Sequence, residues 1–162
     1  MADDTAPDDA DRLFGHRNLP LLLLQARERV IANFRPALNA AGVTEQQWRI
    51  VRALLEQGPL EPRQIVTLCA ISSPSLAGVL ARMDDLGLVR RVRLDHDQRR
   101  VRVSLTAKSR ALARSLAPQI EAIYAGIEQR IGHRFTQDFY RTLDELINLL
   151  ADPQGQGEPE AD

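Results

Sequence analysis

From residue 19 to about residue 40, apolar residues return at helical spacing. Leu24, Ile31, Phe34 and Leu38 fall near one face, and Gly42 marks a stop. The pattern predicts a first helix over 19–40, kinked or shortened by Pro36 within it. Thr44-Glu45-Gln46-Gln47 reads as a capping box, and Trp48, Val51 and Leu55 form an apolar stripe that ends at Gly58-Pro59. A short helix follows over about 61–69, with Pro62 in its first turn, and then a break over 70–73. Ser73 is expected to cap a fourth helix and Pro74 to take its first position. Leu76, Val79, Leu80 and Met83 are its inward stripe, Gly87 its end, and Ser75, Gly78 and Arg82 share the opposite face.

The period then drops from 3.6 to 2. Residues 88–94 form a β-like run. Over 99–105, Val101, Val103 and Leu105 alternate with Arg100, Arg102 and Ser104. Asp95-His96-Asp97-Gln98 has turn chemistry, so the two runs predict a hairpin. Thr106 is expected to cap a long helix bearing Leu112, Leu116, Ile120, Ile123, Ile127 and Ile131. Thr136 is expected to cap the last one, with Asp138 in its first turn and a stripe of Phe139, Leu143, Leu146, Ile147 and Leu150.

Composition narrows the class. A chain of 162 residues, 44% hydrophobic and 27% charged, suits one soluble domain with tails. The apolar run over 19–24 is far short of the roughly 20 residues a membrane span needs, and no basic segment precedes it, so neither a membrane nor a secretory signal is expected. A lone Cys69 forms no internal disulfide, and the expected compartment is the cytoplasm. The net charge of −1 conceals segregation. Residues 1–11 carry five acids and 152–162 four, without a base, so 12–151 holds all 21 Lys and Arg against thirteen acids, a net of +8. The tails read as disordered, either solubilising or competing for the basic surface.

Short helix, break, capped helix and basic hairpin, in that order, describe a winged helix-turn-helix, mainly α with a small β-hairpin wing. Its fourth helix must be slim to enter a major groove, which Ser75 and Gly78 allow. Ser72, Ser73 and Ser75 can offer hydroxyls to phosphate beside the free N–H groups of the helix start, with Pro74 among them, and Arg82 lies a turn or two further along. The hairpin sets six arginines (Arg90, Arg91, Arg93, Arg99, Arg100, Arg102) against Asp95 and Asp97, a phosphate-binding composition that suits double-stranded DNA, beside the plainer reading that the cations shield a sheet edge.

Here a resemblance becomes specific. Asp97-Gln98-Arg99-Arg100-Val101-Arg102-Val103-Ser104-Leu105-Thr106 resembles the wing signature of the MarR family of bacterial transcription regulators. Pro74-Ser75-Leu76 through Leu86-Gly87-Leu88-Val89 resembles its recognition helix and exit. The resemblance implies that Asp97 braces the wing and Arg99 enters the minor groove. Ser109 stands where Gly is usual, and Gly78 where several relatives carry a base-reading Arg. Leu24-Gln25-Ala26-Arg27-Glu28, Phe34-Arg35-Pro36 and Thr44-Glu45-Gln46-Gln47-Trp48-Arg49 resemble the subgroup that represses homoprotocatechuate and nicotinate degradation operons.

By composition the acidic tails take 1–12 and 152–162; the resemblance, with the uncovered apolar stripes of the terminal helices beside it, implies a dimerisation helix in 13–42, a DNA-binding domain over 43–105 and dimerisation helices over 106–151. It implies a homodimer on a pseudo-palindromic operator, released by a small aromatic carboxylate. His16, Arg17, Arg27, Trp48 and Arg49 are its candidate ligands by residue type, though Trp48 also suits a core and the arginines suit ion pairs. No metal or cofactor is expected, because His16, His96 and His133 lie far apart, and no phosphate-binding Gly loop occurs, so no enzyme is expected. Two alternatives stand beside this reading: a winged-helix module that binds protein, and an oxidant sensor acting through Cys69, which also suits a core position.

Overall fold

The computed structural model describes residues 14–94 and 97–151, apart from the side chains of Gln98 and Arg99. Its elements are α1 (Leu19–Ile31), α2 (Arg35–Ala40), α3 (Glu45–Gln57), α4 (Pro62–Cys69), α5 (Ser73–Asp85), β1 (Val89–Leu94), β2 (Asp97–Leu105), α6 (Ala107–Ile131) and α7 (His133–Leu149). The fold is that of a winged helix-turn-helix. Internal contacts group the chain into two compact units that meet at Pro118/Gln119.

The first unit holds α1 to α5, the hairpin and the start of α6. Its core is Leu38, Ile50, Val51, Leu54, Ile65, Leu76, Val79, Leu80, Met83 and Val103, each almost free of solvent. Full burial of side chains this size contributes roughly 1.5–3 kcal/mol apiece, so the inward stripe of α5 is what seats that helix. β1 and β2 pair antiparallel, Val89 opposite Leu105. Leu60 adds a further rung, exchanging backbone hydrogen bonds of 3.0 and 2.8 Å with Val103.

Several local expectations need correction. The single helix over 19–40 is two helices. Pro36 lacks the N–H that would reach the Ala32 carbonyl, and Asn33 and Phe34 turn instead onto Val30 and Ile31 with shorter-range bonds. In α3 the inward residues include Ile50 and Leu54, while Leu55 is 39% exposed. Ser72, not Ser73, occupies the N-cap position of α5, without a side-chain capping bond, and Pro74 takes the second helical position. β1 starts at Val89, because the Leu88 N–H closes the end of α5 on the Met83 carbonyl at 2.8 Å. Asp97 and Gln98 belong to β2 rather than to a turn. Pairing jumps from Arg93–Val101 to Leu94–Asp97, so residues 98–100 bulge. The rest of the turn, residues 95–96, lies outside the described residues, as do both tails.

The second unit comprises the end of α6 and all of α7. Thr136 does not cap α7: Gly132, at φ +92°, breaks the chain there, and the Thr136 hydroxyl donates back to the Gly132 carbonyl at 2.9 Å. Asp138 is therefore past the first turn, where it pairs with Arg141. No residue of α7 is buried, and Phe135 and Phe139 stack at 5.8 Å between ring centres. Among the described residues no single helix is long and apolar enough to cross a membrane.

Candidate nucleic-acid interface

The outer face of α5 is built from small groups. Ser72, Ser73, Pro74 and Ser75 are exposed at its start, and the Ser72 hydroxyl donates to that of Ser75 at 2.9 Å. Among the described residues no side chain accepts from the first turn of α5 at its cap, which leaves that end of the helix with partial positive charge. Gly78 follows on the same face, and a Cβ there would stand 3.6 Å from the Arg82 guanidinium, so Arg82 lies back along the helix.

Three contacts hold the far end of α5. Arg91 on β1 donates to Asp84 at 3.0 and 2.8 Å. The Thr106 hydroxyl donates to the Gly87 carbonyl at 2.7 Å, and the Lys108 ammonium to the Leu86 carbonyl at 2.6 Å. A cation at a helix C-terminus also meets the negative end of the macrodipole. Thr106 caps α6 as expected, accepting from the Ser109 N–H at 3.2 Å. Ser109, the departure from the family pattern, is wholly buried and donates its hydroxyl to the Thr106 carbonyl.

The wing carries the cations. Arg90, Arg91, Arg93, Arg100 and Arg102 are all exposed. Arg100 pairs with Glu61 at the start of α4, which fastens the hairpin to the helix-turn-helix. That bond from Arg100 holds the Glu61 carboxyl below its ordinary range, and the Arg100, Arg63 and Arg102 charges add to the effect. Arg100 is in turn pushed up by Glu61, with a smaller push from Asp97. Asp97 is exposed at the start of β2. The expected role of Arg99 falls on a side chain outside the described residues.

The five expected ligand residues do not converge on one open site. His16 and Arg17 are exposed ahead of α1. Trp48 is buried in the core. Arg27 and Arg49 are both held by Glu45, and Arg49 also donates to the Cys69 carbonyl at 2.7 Å. Sequence reasoning missed a different place. Leu55, Arg110, Ala113, Arg114 and Ala117 line an open cleft of about 270 Å³. Among the described residues neither Arg110 nor Arg114 lies within ion-pair distance of a carboxylate. The signal was present in the Arg110/Arg114 spacing of one turn, beside the small faces of Ala113 and Ala117. Among the described residues no cluster of His, Cys, Asp and Glu could hold a metal.

The MarR family matches over residues 41–100, the span of the helix-turn-helix and most of the wing. Over 134 residues the chain is 39% identical to the HTH-type transcriptional regulator FarR of Neisseria gonorrhoeae, covering 83% of this chain and 92% of that protein. It is 40% identical to the homoprotocatechuate degradative operon repressor of Escherichia coli, over 83% of this chain and 90% of that one. The chain belongs to the MarR family. It is a MarR-type transcriptional repressor, of a family whose members are DNA-binding regulators rather than enzymes. A solved structure of NadR in complex with 4-hydroxyphenylacetate superposes with a TM-score of 0.73 at 38% identity, covering 81% of this chain and 93% of that one.

Proposed function

We propose that this protein is a homodimeric repressor that grips a pseudo-palindromic operator through α5 and the arginine wing, and that a small aromatic carboxylate loosens the grip. The observation that carries the reading is one surface: a face of Ser75, Gly78 and Arg82, tied by Asp84–Arg91 to a hairpin of exposed arginines. Small residues let a helix sit deep in a major groove, and flanking arginines neutralise phosphates. In this arrangement Ser72, Ser73 and Ser75 meet phosphate at the α5 start. Arg93 follows the backbone, Arg100 stays on Glu61 and holds the wing in place, and Arg99 reaches the minor groove.

Dimerisation is supported by apolar side chains left bare in the single chain. Leu19, Leu21, Leu23, Leu24 and Val30 of α1 are exposed, as are Phe139, Tyr140, Ile147 and Leu149 of α7. Exposure on that scale marks an interaction surface. Two-fold pairing would present two α5 helices to half-sites about one DNA turn apart.

The effector class rests on the relatives: one represses homoprotocatechuate degradation and another is solved with 4-hydroxyphenylacetate. The regulated operon is then one for aromatic-acid breakdown. The reading calls for no metal or prosthetic group. The cleft at Leu55 and Arg114 offers an apolar wall and two guanidiniums without an ion pair among the described residues, the pairing that a single-ring carboxylate needs. Gel shifts on the intergenic DNA upstream of the protein's own coding sequence, with a panel of aromatic acids, test the whole reading. Retarded bands that one acid releases support it. Absence of any shift at physiological salt would falsify DNA binding, and shifts indifferent to every acid would remove the effector. Arg114→Ala and Arg27→Ala, assayed side by side, show whether the acid sits in the cleft or against α1.

A further inference from the structure

The helix-turn-helix is bolted from behind by one guanidinium. α4 ends at Cys69, and the next residue, Ala70, takes a left-handed conformation at φ +48°. A residue with a Cβ resists that region, so something must hold the turn in it. The Ala70 and Ile71 N–H groups bind back to the Thr67 and Val66 carbonyls. The Cys69 carbonyl instead receives one arm of Arg49 at 2.7 Å. The other arm goes to Glu45 at 2.9 Å. The Cys69 thiol, 3.8 Å from the Arg49 carbonyl, adds a weak contact between the same two residues.

Glu45 also draws in the N-terminal helices. Arg27 of α1 pairs with the same oxygen that Arg49 uses, and Arg35 of α2 lies 3.7 Å from the other oxygen. Arg35 in turn donates to both oxygens of Glu28 on α1, at 3.1 and 2.7 Å. A chain of ionic contacts therefore runs from α1, which buries no side chain of its own, to the turn that aims α5. None of its members lies on the exposed face of α5 or in the wing.

We infer that Arg49 is a positioning residue for operator binding: its planar fork, anchored by Glu45, fixes the Cys69–Ala70 turn and so sets the angle at which α5 is presented, and through Glu45 that angle is tied to α1. The fork is what matters. A lysine keeps the charge but has a single ammonium, which cannot reproduce two bonds in fixed directions.

Charge alone and positioning give opposite signs, which makes the test clean. Glu45→Gln removes one negative charge and so raises the net charge by one, and simple attraction to phosphate would tighten all DNA binding. Positioning demands that binding to the upstream intergenic duplex weaken about tenfold, the order set by one charge-assisted hydrogen bond, while binding to a scrambled duplex of equal length holds or tightens. Arg49→Lys should lose the same discrimination at unchanged net charge. Thermal melts of both variants separate this from global unfolding. Hydrogen exchange gives a reading that needs no operator: the Ala70 and Ile71 amides should exchange faster in both variants, with Leu80 in the middle of α5 unaffected. Wild-type discrimination in Arg49→Lys, or unaltered exchange at the turn, overturns the inference. If the wild type itself fails to distinguish the two duplexes, the operator reading falls, and the exchange result still decides the role of Arg49.

Discussion

Arg91 gives both of its hydrogen bonds, at 3.0 and 2.8 Å, to one oxygen of Asp84, and so spends its charge inside the protein. The pair joins β1 to the last turn of α5. It thereby divides the basic surface into cations that brace and cations that remain for DNA. Arg82, exposed and without an ion pair among the described residues, is of the second kind.

The two kinds differ in salt dependence. Each DNA phosphate left without its protein cation lowers the slope of log affinity against log salt by about 0.9. Arg82→Ala should reduce that slope, because it removes a free cation from the reading face. Arg91→Gln should leave the slope nearly unchanged. Its main effect should be a small loss of thermal stability, about 0–1 kcal/mol for a pair this exposed. Fluorescence-anisotropy titrations from low to moderate salt check both. Equal slope changes in the two variants would contradict the division.

Gly78 offers a test in which stability and function move apart. It is helical, and an added methyl meets only the Arg82 guanidinium at an ordinary 3.6 Å. Gly78→Ala should therefore stabilise the fold by about 0.5–1 kcal/mol. The same methyl thickens the face that must enter the groove, and operator affinity should fall. A variant that melts higher and binds as well as the wild type would show that Gly78 does not face DNA.

Much of this surface was legible because it rests on short-range chemistry. The Thr44–Gln47 capping box forms as read, with bonds of 3.2 and 2.9 Å, because both partners lie within one turn. The inward stripe of α5 follows from period alone, and Leu76, Val79, Leu80 and Met83 are all buried. What failed to show was tertiary. Nothing in the spacing of Arg100 and Glu61, 39 residues apart, announces that they pair. The Leu60–Val103 rung is hidden because Leu60 is one residue of a four-residue link between two helices, too short a pairing to show a period. Thr136 looked like a cap because Thr commonly is one, but the positive φ of Gly132 set the break four residues earlier. Arg27 and Arg49 suited a ligand by type, yet Glu45 already engages both.

Cys69 is placed to be inert. It is 2% exposed, and burial pushes its thiol above the ordinary range, against a smaller opposing effect of Arg49. Since the thiolate is the reactive species, little of it is present near neutral pH. Native protein should react with a disulfide reagent such as dithionitrobenzoate far more slowly than protein unfolded in guanidinium, and Cys69→Ser should release DNA in response to an aromatic acid as the wild type does. Rapid native labelling, together with peroxide release that the serine variant lacks, would restore the oxidant-sensing alternative.

The Glu61–Arg100 pair should make the attachment of the wing sensitive to acid, and the sign can be worked out. The hydrogen bond from Arg100 favours the deprotonated carboxylate, so in the fold Glu61 titrates below its ordinary 4.5. A carboxylate with a depressed value contributes its stability in full above that ordinary value, and loses it as pH falls through the depressed one. Between neutrality and about pH 5 the pair should therefore be intact, and wild type should melt above Glu61→Gln by a constant margin. Below the ordinary carboxylate range the margin should shrink, and it should vanish once Glu61 is protonated in the fold. High salt should narrow it at every pH, because the Arg100 side chain is about half exposed and screened. Melting curves of the two proteins across this range decide the matter. A margin that persists unaltered into acid would mean that Glu61 stabilises the start of α4 by some means other than its charge, and that the wing is held by other contacts.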